Sequence, residues 1–183
     1  MMAKTLITIK LAGDSGDGIQ LTGHRLAMIH ALFGSEVATH ADYPAEIRAP
    51  RGTTYGVSAY QIQIGCTRVF TPGDKLDVLL ALSPAALSVT MGQVKDGALI
   101  IVDKDSFTDD ALQKLGLPTD DNHPLLALNR QGYQLIDLPI SQLLMSLFSQ
   151  DKHKKKDILQ SKNFFCLGVL CWLFERDTSS TEL

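Results

Sequence analysis

The sequence predicts an α/β protein of three layers, in which a mixed, mostly parallel sheet carries helices on both faces. Three observations lead there. Apolar runs too brief for helices recur at 6–11, 78–82 and 98–102, as buried strands do. The last two runs are separated by a helix-length segment that opens on Ser83-Pro84, a cap followed by proline at the first helical position. Residues 55–64 instead alternate apolar and polar, marking a strand with one wetter face, and a turn at Gly65-Cys66 towards 67–70 would add an antiparallel hairpin and make the sheet mixed.

Leu6, Ile7, Ile9 and Leu11 form the first strand, stopped by Gly13. Gly13, Gly16 and Gly18 then read G-x-x-G-x-G, which differs from the dinucleotide fingerprint. Asp14 and Asp17 stand where a phosphate favours neutral or positive neighbours, so nucleotide binding is disfavoured here. The alternative is that the glycines permit positive φ and close approach of helix to strand, with Asp14, Ser15 or Asp17 capping the helix. No cofactor-binding residue is assigned; the candidate loop is Gly13, Ser15, Gly16, Asp17 and Gly18.

Ile19, Gly23, Leu26, Ala27, Ile29 and Phe33 recur at near-helical spacing, so the first helix lays one face on the sheet. Gly34 ends it, and 36–39 reads as the next strand. Residues 41–54 carry Pro44, Pro50 and Gly52 among Tyr43, Glu46, Arg48 and Arg51, a pattern of an ordered loop. Its guanidinium groups could grip a carboxylate or phosphate bidentately; alternatively Glu46 pairs with Arg48 or Arg51 and the loop seals an interface. Tyr43, Glu46, Arg48 and Arg51 are the substrate or interface candidates.

Residues 71–74, TPGD, signal a turn before the central strand 78–82. A helix over 85–94 and a strand over 98–102 imply a right-handed parallel crossover. Asp103 and Asp105 at that strand's carboxyl end could bind a cation, but turn capping is the ordinary role, and no metal site is assigned. Residues 107–129 are weakly periodic, with a short helix over 108–115. A strand over 133–137 and a helix over 141–148 follow.

His24, His30, His40 and His123 are isolated and read as surface or helix histidines. The cationic run 152–156, KHKKK, could touch phosphate, anionic lipid or the phosphate end of coenzyme A; flanked by Asp151 and Asp157, it reads more simply as a solvated segment. Residues 163–174, NFFCLGVLCWLF, are the most apolar segment. They fall short of the about 20 residues that span a bilayer, so they form a buried or partner-contact helix, with Phe164, Phe165, Trp172 and Phe174 supplying contact area.

With 183 residues, 45% of them apolar, the chain has material for one sizeable core. One domain over 1–176 and a tail over 177–183 are expected. A net charge of -3 gives no basic field for nucleic acid. No signal-type segment or membrane span is read, so a cytoplasmic protein is expected. The three cysteines, Cys66, Cys166 and Cys171, make no C-x-x-C pair and fit neither a zinc site nor an iron–sulfur cluster.

Several stretches carry a resemblance. SGDGIQLTGHRLA, DYPAEIRAPRGTTYGV, PGDKLDVLLALSPAAL, GALIIVD and SKNFFCLGVL are similar to the gamma domain that opens the alpha subunit of 2-oxoacid:ferredoxin oxidoreductases, particularly the 2-oxoglutarate type. The resemblance covers nearly all of the chain and implies the pyruvate-ferredoxin oxidoreductase gamma-domain fold. It further implies a part in oxidative decarboxylation of a 2-oxoacid to an acyl-coenzyme A, with electrons passing to ferredoxin. That chemistry needs thiamine diphosphate, Mg²⁺, iron–sulfur clusters and coenzyme A. None of these is expected on this chain alone, which should be inactive without thiamine-diphosphate-binding and iron–sulfur partner subunits. No catalytic residue is assigned. The alternatives are an orphaned interaction module left by truncation, and a stand-alone nucleotide-binding α/β protein.

Overall fold

The first strand, β1, spans Leu6–Asp14 and is followed by helix α1, Ile19–Leu32. The computed structural model describes residues 6–44, 56–120, 123–149 and 154–176. After α1 come strands β2 (Glu36–Asp42), β3 (Val57–Gly65) and β4 (Leu76–Ala81). Helix α2 (Pro84–Thr90) leads through a 3₁₀ turn, Met91–Gln93, into β5 (Val94–Asp103). A second 3₁₀ turn (Lys104–Ser106) precedes α3 (Asp109–Lys114), α4 (Pro124–Arg130), β6 (Gln134–Leu138), α5 (Ile140–Leu147), α6 (Lys155–Gln160) and α7 (Lys162–Leu173).

The six strands form one sheet in the order β2-β3-β1-β4-β5-β6. β1, β4, β5 and β6 pair in parallel, whereas β3 runs antiparallel to both of its neighbours, β1 and β2. The sheet is therefore mixed and mostly parallel, as the sequence predicts, but by a different device. Residues 67–70 form no strand, and β3 itself is the reversed strand, inserted between β2 and β1. A tight local hairpin is replaced by a long-range pairing of Leu6 to Gly65 and Asp14 to Val57.

Alternation along the central strands builds two cores, one on each face. Ile9, Leu11, Val78, Leu80 and Ile101 pack with residues of α1, α5, α6 and α7. Ala12, Leu79, Ala81, Ile100 and Val102 pack with residues of α2, α3 and α4. Each fully buried leucine or isoleucine contributes about 1.5–3 kcal/mol, and these two clusters hold the three layers together. Cys166 and Cys171 are buried within the first of them, as packing residues.

Local chemistry explains most boundaries. Ser83 caps α2 by accepting from the Ala86 N–H at 3.2 Å, with Pro84 at the first helical position, and Thr108 caps α3 at 3.3 Å. The predicted helix over 85–94 stops at Thr90, and β5 starts at Val94, four residues earlier than its apolar run. Its pairing with β4 shifts register between Leu76 and Val78, which absorbs the extra residues around Gly97. Helix α4 escapes the sequence reading because it is one short run, PLLALNR, inside a polar stretch. His123 caps it through Nδ1, which accepts from the Leu125 N–H at 3.2 Å. Among the described residues no helix is long and apolar enough to cross a membrane.

Candidate functional site

After β1 the chain turns to the β2–β3 side of the sheet, then crosses to the other side for β4. The order thus reverses between β1 and β4, whose carboxyl ends lie side by side, with the Leu82 N–H donating to the Ala12 carbonyl at 2.9 Å. Open α/β sheets present ligand sites at such a switch point. Here it holds a cavity of about 160 Å³ lined in part by Asp14, Asp17, Ser83, Pro84, Asp103 and Lys162. A broader groove of about 750 Å³ shares Asp17 and Lys162 and runs outward past Gly16 and α6.

The polar groups around the smaller cavity are bonded in two sets. Ser83 Oγ donates to Asp14 Oδ1 at 2.7 Å while capping α2. The Asp14 N–H donates to Asp17 Oδ2 at 2.8 Å. Asp103, fully buried at the end of β5, accepts from Lys162 Nζ at 2.7 Å, Ser106 Oγ at 2.8 Å and the Asp105 N–H at 3.3 Å. A buried carboxylate needs such partners, since an unpaired one costs several kcal/mol. The ion pair anchors α7 to the sheet.

Helix α1 is fixed to the same place. Gly18, at its N-cap with φ 74°, faces the Asn163 side chain so closely that any Cβ there would collide with it. The Thr22 hydroxyl donates to the Gly18 carbonyl at 3.1 Å and lies 3.4 Å from the Asn163 carbonyl. At the middle of α1, Gly23 lets the helix settle against the Tyr60 ring.

Burial pushes the Asp17 carboxyl above its ordinary range; the nearby Asp14 and Asp103 carboxylates act in the same sense, while the hydrogen bond from Asp14 and the charge of Lys162 oppose them. Burial also drives the Cys166 thiol up to about 12, so it stays protonated and inert. The two bonded sets together hold two serines, three carboxylates and a lysine, with no histidine to serve as the base of a Ser-His-Asp arrangement. Their chemistry is that of an electrostatic scaffold around a small polar cavity.

The structure places Gly13, Ser15, Gly16, Asp17 and Gly18 together at this switch point. The expected capping role of Asp14, Ser15 or Asp17 does not occur. Gly18 occupies the N-cap with no side-chain bond, because Asp17 is turned back to the Asp14 N–H and Asp14 to Ser83. Tyr43 lies past the end of β2, largely exposed at 69%, on the same sheet edge but two strands from β1. Glu46, Arg48 and Arg51 lie outside the described residues. Asp103 and Asp105 act in turns: Asp105 accepts from the Gln142 N–H at 3.1 Å and from its amide at 2.8 Å.

Sequence reading misses the Asp103–Lys162 pair and the Gly18–Asn163 contact, both of which join residues far apart in the chain. A lysine and an asparagine opening the most apolar segment are the available signal, since polar residues at such a place need partners. His30 is also more than a helix histidine. It is buried, and neither ring nitrogen has a partner among the described residues. Burial, with the nearby Arg176, lowers its pKa to about 4, and its ring meets Phe174 edge-on at 5.6 Å.

The residues present do not fit an iron–sulfur cluster or a pyrophosphate-bound Mg²⁺. Cluster iron takes cysteine thiolates, whereas Cys166 and Cys171 are buried with raised thiol pKa and Cys66 is exposed. Among the described residues no group of three or more His, Cys, Asp or Glu could hold a metal ion.

Residues 8–182 match the family described as pyruvate ferredoxin/flavodoxin oxidoreductase. The chain is 42% identical over 176 residues to 2-oxoglutarate oxidoreductase subunit KorA of Mycobacterium tuberculosis, a match covering 96% of this chain and 26% of the relative. It is 30% identical over 115 residues to ketoisovalerate oxidoreductase subunit VorA of Methanothermobacter thermautotrophicus, covering 61% of this chain and 23% of that one. Among solved structures, the 2-oxoglutarate:ferredoxin oxidoreductase of Magnetococcus marinus, with 2-oxoglutarate, coenzyme A and succinyl-CoA bound, aligns over 92% of this chain and 24% of its own, at TM-score 0.67 and 25% identity. The gamma subunit of a keto/oxoacid ferredoxin oxidoreductase from Geobacter sulfurreducens shares the fold, at TM-score 0.61 and 20% identity over 92% of this chain and 75% of that one. The chain spans about a quarter of the length of the curated relatives it matches. With the match running across 8–182 and a relative 42% identical over 96% of this chain, the chain belongs to the pyruvate ferredoxin/flavodoxin oxidoreductase family.

Proposed function

We propose that this chain is the gamma-type domain, or a shortened alpha subunit, of a cytoplasmic 2-oxoacid:ferredoxin oxidoreductase, and that it works only in complex with subunits holding thiamine diphosphate, Mg²⁺ and iron–sulfur clusters. The observation that carries this reading is the 42% identity to KorA across 96% of the chain. Residues 1–176 act as one domain in it, and 2-oxoglutarate is the preferred oxoacid of the whole enzyme.

The domain contributes assembly and the coenzyme A or substrate side of the complex. An outward stripe on α7 supports the assembly role. Phe164, Gly168 and Trp172 recur every four residues on its exposed side, with Trp172 77% exposed and Phe164 56%. Of the four aromatic residues expected to supply contact area, Phe165 and Phe174 instead pack on the domain's own core. Tyr43, Glu46, Arg48 and Arg51 serve substrate or partner contact in this reading, and the turn formed by Gly13, Ser15, Gly16, Asp17 and Gly18 contributes beside the end of β1.

Native mass spectrometry of the chain captured from its own cells, paired with a 2-oxoacid-dependent dye-reduction assay, tests this reading. Co-isolation with thiamine-diphosphate and iron–sulfur subunits, with activity, is expected. A lone 20.0 kDa chain without activity would leave only the orphaned module.

A further inference from the structure

The two edges of the sheet are finished differently. The β6 edge has only five residues, Gln134–Leu138, stops at Pro139, and carries the Asp137 carboxylate paired with Lys104 at 2.9 Å. Short length, proline and charge are the usual means by which an edge avoids further pairing. The β2 edge lacks them. Its seven residues, Glu36–Asp42, hold register with β3 from end to end without a bulge and contain neither proline nor lysine. Among the described residues no strand pairs with its outer side, so its outward N–H and C=O groups are open to one.

Side chains along β2 alternate between the two faces of the sheet. Val37 and Ala41 pack on the core that includes α1, which places Glu36, Ala38 and His40 on the opposite face. Glu36 and His40 are exposed, and neither makes an ion pair among the described residues. When two copies pair antiparallel about a two-fold axis perpendicular to the sheet, opposed residues share a face, so the axis passes through one residue of β2. Centred on Thr39, the pairing sets Glu36 against Asp42 of the second copy, and like charges directly opposite are destabilising. Centred on His40, it sets the two imidazoles against each other. Centred on Ala38, it sets the Glu36 carboxylate of each copy opposite His40 of the other, with the two small Ala38 side chains on the axis between them.

We propose that β2 is a self-association edge, to which a second copy of this chain adds its own β2 antiparallel in the register centred on Ala38, joining two six-stranded sheets into one. The helices leave room for it. Helix α1 lies over β3, with Gly23 against Tyr60, and strands about 4.8 Å apart put the β3 strands of the two copies about 14 Å from each other, beyond the roughly 8–10 Å at which helices pack. Such an edge is independent of the subunit reading, because association is measured on the chain itself.

Sedimentation velocity of the full chain over about 1–100 μM is expected to show the 20.0 kDa species giving way to one of twice that mass. His40→Glu, which opposes carboxylates on both sides of the axis, is expected to weaken association about tenfold, and Glu36→His/His40→Glu, which exchanges the two positions, to restore it. Both positions are exposed, so circular dichroism and Tm are expected to stay unchanged. In a Cys66→Ser background, which removes the exposed thiol, Ala38→Cys is expected to form an intermolecular disulfide under mild oxidation and Thr39→Cys is not. Only directly opposed residues bring their Cα atoms within the about 4.5–5.5 Å that a disulfide spans. A chain that stays monomeric throughout, a dimer indifferent to His40→Glu, or cross-linking through Thr39→Cys in place of Ala38→Cys overturns the assignment.

Discussion

Helices α1 and α7 lie side by side on the sheet, and their two ends are held by opposite physics. At the N-terminal ends, Gly18 meets Asn163, Lys162 pairs with Asp103, and the nearby acids are each hydrogen-bonded. At the C-terminal ends, His30 is buried against Phe174 with no hydrogen-bond partner among the described residues, and Arg176 stacks over Phe33 at 5.7 Å. One end is fixed by directional bonds and the other by shape. Directional bonding belongs beside the switch-point cavity, where side chains must keep one arrangement. Packing serves the far end.

Breaking the polar end should cost most. Lys162→Met leaves the buried Asp103 charge unpaired and is expected to lower stability by about 3 kcal/mol in urea unfolding. An effect near zero would mean that solvent or Ser106 alone satisfies Asp103. Gly18→Ala puts a side chain at positive φ against Asn163 and should cost about 2 kcal/mol. Ser83→Ala removes both the α2 cap and the partner of Asp14, for about 1 kcal/mol, measured in the same way.

The apolar end should respond with the other sign. His30→Phe removes a buried polar ring without hydrogen bonds and is expected to stabilise the chain by about 0.5–1 kcal/mol. Its pH dependence is a sharper test. With the folded pKa lowered to about 4, the unfolded chain takes up a proton first as pH falls below the ordinary value of 6.5. Stability therefore declines on acidification between 6.5 and about 4, by at most about 1.4 kcal/mol per pH unit from this group. Melting curves across that range should show a slope that His30→Phe reduces. An unchanged slope would place the acid sensitivity elsewhere.

The smallest stability effect is expected on the outward face of α7. Trp172→Ala should move the isolated chain's stability by no more than about 0.5 kcal/mol. Co-purification with partner subunits should nonetheless weaken, which separates assembly from folding.

Much of this molecule is legible in the chain. The apolar runs at β1, β4 and β5 announce buried strands because only a strand can bury both faces of so short a segment. Ser83-Pro84 announces a helix start because capping is a local bond between neighbours. The glycine turn at 13–18 is recognisable as the organising corner, although which of its residues would cap α1 is not. Asp17 had two possible partners, the helix it precedes and the strand it follows, and the depth of the turn chose the strand.

Sequence by itself determined the type of most elements, α4 and α6 excepted, and the position of the glycine turn, since these follow from periodicity and turn chemistry within a few residues. Only the tertiary structure decided that β3 inserts antiparallel between β2 and β1, that Lys162 pairs with Asp103, and that three lysines share a groove with Gly16. Each of these joins residues distant in the chain. Their energies depend on distance and burial, and neither exists until the sheet has closed.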